Sequence, residues 1–541
     1  MGLHLQAKSG RSGAVGDNFF ESPVLAKRAM KENLFTEVYL STAVTTPIQL
    51  KGWVTQPNPF ERHGKRWHLY LSRVEILRRL ATRNRKNVSE GRPALHVALR
   101  MPRERSLIVD GRDVVKDVHA ELDRAVALAE GIRSGEWLGA TGRRIRTVVN
   151  VGIGGSDLGP AMTCQALRPY ATSEVEVRFV SNVDPVDLSE ATRDLDPAET
   201  LFVVVSKTMG TLETKVNAEA ARAWAKPALG DAVGRHFVAV TANVEAATSA
   251  GIPAENVFRM WDWVGGRTSL CSTVGLSALI AIGGDGFREL LAGFHAMDEH
   301  FARVLTGGNL PAISGLLAVW YRDFFDAQTS VVIPYSEALG LLPAYLQQLW
   351  MESNGKSVTG AGDPSEVDTG SVLWGGTGTN AQHAVFQLLH QGTVLCPADF
   401  IGFGRSSEDA AERHDLLAAN LFAQSEALAF GRTAGELEAM NVAEDTIAHR
   451  VMPGNRPTTV ILAERLDPVT LGALVAFYEH SVFTQAVIWG IDPFDQWGVE
   501  LGKERAAKIA PELDSGWKHE LMHDSSTNSL VRRYRRLRDG A

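Results

Sequence analysis

The sequence predicts an α/β protein of two doubly wound parallel sheets, with a mostly helical N-terminal segment and a C-terminal helical arm. Three observations predict it. Short apolar runs recur as TVVNVGIGG, VEVRFVSN, TLFVVVSKT and HFVAVTAN, the pattern of parallel strands buried on both faces. Helix-length segments separate these runs, and strand alternating with helix calls for helices on both faces of one sheet. After a helical stretch over residues 285–325 the pattern starts again with TSVVIPYS, GSVLWGG and TTVILAE.

Taken in order, residues 1–20 are rich in Gly, Ser and Lys and read as a loose lead. Residues 25–145 read as mostly helical and charged, as in WHLYLSRVEILRRLATRNRK. The divisions expected are 1–115 for the N-terminal segment, 116–295 for the first sheet domain, 296–508 for the second with linking helices, and 509–541 for the arm. No short-period self-similarity marks a solenoid. The arm ends in the basic VRRYRRLR, read as a solvated helical face or a subunit contact.

Bulk properties narrow the function. The 541 residues are 45% hydrophobic and 22% charged, ordinary for a globular protein. A formal charge of −8 argues against a general nucleic-acid binder, so an anionic ligand would need local Lys and Arg. The three cysteines, Cys164, Cys271 and Cys396, are widely spaced and odd in number, which points to a reducing compartment and no disulfide framework. The N-terminus lacks a signal-peptide core, and the apolar stretch 469–490 is broken by Glu479 and His480. A cytoplasmic protein without membrane spans is expected.

In doubly wound sheets, ligands bind beyond the carboxyl ends of the strands, so the loops after the apolar runs are the places to search. The first, VGIGGSDLGP, fails the GxGxxG spacing because Asp157 stands at the third position; Gly155 and Ser156 still suit a close ligand approach, as they would an empty turn. The second, SKTMGTLET, gathers Ser206, Lys207, Thr208 and Thr211 around a helix start. Three hydroxyls, an ammonium and a helix N-terminus suit a phosphate monoester. Simple capping would explain one hydroxyl only.

Further on, Arg267 follows two glycines in WDWVGGRTSLCS, and Gln348 and Glu352 share a helical face in LQQLWMESNGKS. Glu352 among Trp350 and Met351 fits a general base in a partly apolar setting; an exposed Glu paired with Lys356 would look the same. In GTGTNAQHAVFQLLHQG, Thr379 or Asn380 is expected to cap a helix carrying His383 in its first turn. FDQWGVELGK holds Gln496 and Lys503 on an amphipathic helix. His519-Glu520-Leu521-Met522-His523 matches HExxH, yet Ser526 and Ser529 stand where the metzincin extension requires Gly and His. It is read as a structural helix end, so no metal and no cofactor is expected.

The order and wording of these segments resemble the glucose-6-phosphate isomerase family. The resemblance runs from NVSEGRPALHVALR at residue 87 through VGIGGSDLGP, SKTMGTLET, DWVGGRTSLCS, LQQLWMESNGKS, GTNAQHAVFQLLHQGT and FDQWGVELGK to HDSSTNSLVRRYR. It implies two sugar-isomerase (SIS) domains and a homodimer with its active site at the subunit interface. It also implies interconversion of glucose 6-phosphate and fructose 6-phosphate in glycolysis and gluconeogenesis. By motif, Ser206, Lys207, Thr208 and Thr211 would bind the phosphate, helped by Ser156, and Gly155 would lie against the substrate. Glu352 would move the proton between C2 and C1, and Arg267 would stabilise the enediolate. His383 of the neighbouring subunit and Lys503 would assist ring opening, with Gln348 and Gln496 on the substrate. Three departures stand out: Gly210 in the phosphate loop where many relatives carry Thr, no Glu-Pro pair before GTN, and residues 1–60 that match poorly. A glucosamine-6-phosphate-forming amidotransferase needs an N-terminal cysteine, and the first here is Cys164. A sugar-phosphate-sensing regulator would be expected to lose Glu352, His383 or Lys503, and all three are present.

Overall fold

The computed structural model describes residues 37–41, 86–87, 89–171, 174–304, 308–514, 516 and 519–540. The expected loose lead falls outside them, as does WHLYLSRVEILRRLATRNRK apart from Lys86. Residues up to Pro493 form one compact unit and Phe494–Ala541 a second.

Two five-stranded sheets organise the larger unit. In chain order their strands are β1 (Glu37–Ser41), β2 (Thr147–Val151), β3 (Glu176–Val180), β4 (Thr200–Val205), β5 (Phe237–Thr241), β6 (Val257–Arg259), β7 (Thr329–Pro334), β8 (Val372–Gly375), β9 (Ala398–Phe403) and β10 (Thr458–Ala463). The first sheet runs β6-β5-β4-β2-β3, all parallel. Its central strands β2, β4 and β5 are buried at every position, so the apolar runs need no alternation. The second sheet runs β1-β10-β9-β7-β8, parallel except for β1, which lies antiparallel on β10. Both sheets wind outward in opposite directions from their first parallel strand. The strand order therefore reverses between β2 and β4, and again between β7 and β9. Such a switch point opens a crevice at the carboxyl ends of the two strands.

Three of these ten strands escaped the sequence reading: β1, which lies in the stretch read as mostly helical, β6 and β9. β6 has three residues, too few for a period, and β9 (ADFIGF) carries Asp399, whose carboxyl burial pushes up to about 6.

Two helices meet in the core, Leu276–Arg303 and Pro468–Trp489. They approach closely through glycine: a Cβ on Gly293 would lie 1.9 Å from the Val469 carbonyl oxygen, and one on Gly472 2.1 Å from that of Leu290. Among the described residues Pro468–Trp489 is long and apolar enough to cross a membrane, yet nearly all of it is buried inside the protein. Glu479 and His480, the polar residues that interrupt it, join an internal polar cluster. Arg100 reaches Glu479 Oε2 and Asp298 Oδ1, each at 2.7 Å, and His480 Nε2 lies 2.7 Å from Asp298 Oδ1. Arg100 also lies over the Phe294 ring at 4.8 Å.

In the smaller unit, helices Glu500–Glu512 and Ser525–Asp539 face each other through polar contacts. His523 Nε2 lies 2.6 Å from Glu512 Oε2, and Arg535 Nε donates to the Glu512 carbonyl at 2.8 Å. The HExxH match corrects the helix-end reading. His519–His523 is not helical, and Asp524 caps Ser526 and Thr527 to start the next helix. Without an intervening helical turn, the two histidines do not share the face that a zinc site needs.

Candidate active site

The loops after β2 and β4 flank the switch point of the first sheet. After β2 the chain makes a short 3-10 turn, Gly154–Ser156, before the helix Leu158–Ala166. Gly154 has φ +61°, which glycine adopts without strain. Gly155 is buried, and a Cβ there would lie 2.0 Å from the Gly266 carbonyl oxygen. Its missing side chain therefore admits the backbone of the GGR loop. Asp157 follows, its carboxyl pushed up to about 6 by burial and then by Asp187.

After β4, Ser206–Thr211 leads into the helix Leu212–Leu229 with Thr211 at the N-cap position. No side-chain cap hydrogen bond forms at Thr211, whose hydroxyl instead accepts from Ser206 Oγ at 3.3 Å. Thr208 is exposed and its hydroxyl accepts from the Gly210 amide at 3.2 Å. Lys207 points away from the helix start: Nζ donates to the carbonyls of Asp262 at 2.6 Å and Val264 at 3.1 Å. An ammonium has three donors, so these contacts tie the loop to the GGR segment and leave capacity for an anion. Burial, then Arg92, pulls the Lys207 pKa down to about 8.

The GGR segment carries Arg267 into the interior, where it is 4% exposed, too buried for a surface salt bridge. Nε donates to Ser353 Oγ at 2.8 Å, Nη2 donates to the Pro493 carbonyl at 2.6 Å, and Nη1 lies 3.4 Å from Glu352 Oε2. The Arg267 carbonyl accepts from Tyr345 OH at 3.1 Å.

Glu352 and Gln348 lie in one turn, as expected, but the turn is of another kind. The α-helix Leu342–Gln347 widens into a π-turn over Gln348–Glu352. Such turns concentrate at functional sites, and a single widened turn has no sequence period to reveal it. The Glu352 carboxylate faces a guanidinium instead of the apolar wall that the sequence suggested. Lys356 bonds to the backbone carbonyls of Glu352 and Ser353 at 2.8 and 2.9 Å. Gln348 Nε2 lies beside Gly154, 3.1 Å from where its Cβ would be. Gln348 Oε1 is buried and accepts no hydrogen bond from the described residues.

His383 departs from expectation. It ends a 3-10 turn, Asn380–His383, and the α-helix begins only at Phe386. Thr379 is in the αR region, where its hydroxyl is not set to cap, so neither cap nor first helical turn forms. His383 is exposed.

The family model described as phosphoglucose isomerase matches residues 73–531. The chain belongs to the phosphoglucose isomerase family. A glucose-6-phosphate isomerase of Anaeromyxobacter dehalogenans strain 2CP-C is 60% identical over 458 residues, covering 84% of this chain and 83% of the relative. One from Deinococcus radiodurans is 56% identical over 470 residues, covering 86% and 87%. The crystal structure of a glucose-6-phosphate isomerase from Chlamydia trachomatis matches with TM-score 0.71 and 35% identity, over 83% of this chain and 82% of that one. As a member of the phosphoglucose isomerase family the chain is an aldose–ketose isomerase, and its two doubly wound sheets are the α/β fold that the sequence predicted.

The structure brings Gly155, Arg267, Gln348 and Glu352 together, and Lys207 joins the phosphate-loop candidates to them through the 262–264 backbone. Gln496 and Lys503 belong to the smaller unit, but they do not share the expected helix: Lys503 is in Glu500–Glu512, whereas Gln496 precedes the 3-10 turn Trp497–Val499. The Gln496 carbonyl accepts from the Val499 amide at 3.1 Å, and Lys503 Nζ donates to Glu500 Oε1 at 3.0 Å. Sequence reasoning missed Ser353, Tyr345 and the Pro493 carbonyl. Adjacency to Glu352 was the one available signal for Ser353; a backbone carbonyl leaves none.

Proposed function

We propose that the chain interconverts glucose 6-phosphate and fructose 6-phosphate, moving one proton between C2 and C1 through a cis-enediolate. The observation that carries this is the buried Arg267 guanidinium 3.4 Å from the Glu352 carboxylate, beside a switch-point crevice lined with hydroxyls. Glu352 takes the C2 proton of the open-chain aldose and returns it to C1; the hydroxyl proton passes from O2 to O1. Electrons stay within the sugar, so no redox partner enters the balance. Arg267 faces the negative oxygen that develops between the two transfers, and such preorganised charge is usually the largest catalytic contribution. The phosphate sits with Ser206, Thr208 and Thr211 at the helix start, helped by Ser156 and by the Lys207 charge, whose ammonium keeps one donor beyond the two given to the Asp262 and Val264 carbonyls. Gln348 Oε1, buried without a donor, accepts a substrate hydroxyl.

The reading extends to a homodimer in which the exposed His383 of one copy, with Lys503, assists ring opening in the site of the other, and Gln496 touches substrate. The SIS domains span 116–295 and 296–508, between the segment 1–115 and the arm 509–541. The setting is cytoplasmic, in glycolysis and gluconeogenesis. Activity per chain that stays constant on dilution to the monomer would refute the shared site.

The deciding experiment measures conversion of fructose 6-phosphate to glucose 6-phosphate in EDTA, for wild type and Glu352→Gln. Loss of about 10²–10⁴-fold in the variant is expected for a general base. An inactive wild type would overturn the isomerase reading. A fully active variant would remove Glu352 from the mechanism.

A further inference from the structure

We infer that Ser353 is a positioning residue that aims Arg267, an inference resting on the isomerase reading above. The widened turn Gln348–Glu352 ends where Ser353 begins, so adjacent residues present the carboxylate and a hydroxyl to the same guanidinium. Ser353 is 3% exposed, and its oxygen accepts the Arg267 Nε donor at 2.8 Å. The Pro493 carbonyl holds Nη2 at 2.6 Å. These two acceptors engage two nitrogens of a planar fork, which fixes its plane as well as its place. The third nitrogen, Nη1, is thereby set against Glu352 Oε2. At the root of the side chain, Tyr345 OH fixes the Arg267 carbonyl.

The arrangement has a chemical consequence. A guanidinium stabilises a developing oxyanion most when it needs no reorganisation as charge forms. Arginine has several rotatable bonds, and without the Ser353 acceptor the still-charged fork loses the bond that fixes its plane at Nε, although the Pro493 carbonyl still holds Nη2. Ground-state binding rests mainly on the phosphate loop, so loss of the hydroxyl affects turnover rather than substrate affinity. The dependence runs through Arg267: where the guanidinium is absent, the hydroxyl has nothing to aim.

The test is a double-mutant cycle on the full chain, using fructose 6-phosphate turnover with Ser353→Ala, Arg267→Ala and the double variant. Ser353→Ala is expected to lower kcat about 10- to 100-fold, the scale of a small misplacement, with KM nearly unchanged. In the Arg267→Ala background the same change is expected to alter kcat by less than about twofold. Ser353→Cys, which nearly keeps the volume but replaces the oxygen, repeats the measurement where alanine disturbs packing. The inference is overturned if both Ser353 variants keep wild-type kcat, or if the loss is as large without Arg267 as with it. Wild type without isomerase turnover would overturn the underlying reading, and this inference with it.

Discussion

Lys207 supplies a pH dependence whose sign and size follow from its surroundings. Its ammonium, buried and next to Arg92, titrates at about 8, well below an ordinary lysine near 10.4. The substrate phosphate has already lost its second proton near pH 6. From pH 8 upward, therefore, the changing partner is the lysine. If the charged form binds the phosphate, kcat/KM of the free enzyme falls about tenfold per pH unit above 8. A bound dianion holds the proton on, so kcat stays level to higher pH than kcat/KM. The stability sign is opposite. Between about pH 8 and 10 the folded chain has released a proton that the unfolded chain still holds, so this group makes stability rise with pH. Activity then falls while the thermal midpoint does not, which separates the effect from alkaline unfolding. Initial rates with fructose 6-phosphate from pH 7 to 9.5, beside melting curves in the same buffers, measure both. In Lys207→Arg, which stays charged throughout, the descending limb should vanish. A flat wild-type profile, or a limb that persists in Lys207→Arg, would refute the assignment.

Replacing Arg100 with Met should strand two carboxylates, the buried Glu479 and the mostly buried Asp298, and breaking such a pair costs about 3–5 kcal/mol. Burial alone would raise the Asp298 pKa, but Arg100 and the His480 hydrogen bond hold it well below the carboxylate range. Its depressed pKa gives stability that is present above about pH 4 and lost only in strong acid. Without Arg100 that carboxyl favours protonation, so the loss in thermal midpoint should be larger at pH 8 than at pH 5; equal losses would contradict the argument. Gly155→Ala should push a methyl group against the Gly266 carbonyl, where neither backbone can yield easily. A fall in kcat/KM of about 100-fold with secondary structure retained is expected, and wild-type kinetics would show that the two turns do not touch.

The sheets were legible because their strands are buried on both faces. Thr147–Val151 and Thr200–Val205 therefore read as continuous apolar runs that mark both the strand and the loop beyond it. The loops could be ranked by their polar groups, and the structure puts Gly155, Arg267, Gln348 and Glu352 close to one another. Illegible were the features that one residue type cannot encode. Lys207 was chosen as an anion ligand, but two of its donors go to carbonyls that any residue at 262 and 264 would supply. A capped α-helix was expected around His383, and the αR backbone of Thr379 removes the cap.

The glycines connect these successes and failures. Gly155 read as local freedom in a single turn, yet the structure uses its bare Cα to admit the Gly266 backbone of a second turn. The contact seats Arg267 one residue beyond Gly266, while Gly154 lets Gln348 approach from the π-turn. A proton acceptor and a cation only 3.4 Å apart neutralise each other unless something holds them ready for a third charge. Backbone contacts and the Ser353 and Pro493 acceptors do that here, because they fix the guanidinium without depending on the carboxylate. The geometry of the pair does not depend on the charge of Glu352, so in the proposed mechanism Arg267 stays in place when Glu352 takes up a proton, the moment at which that mechanism needs it.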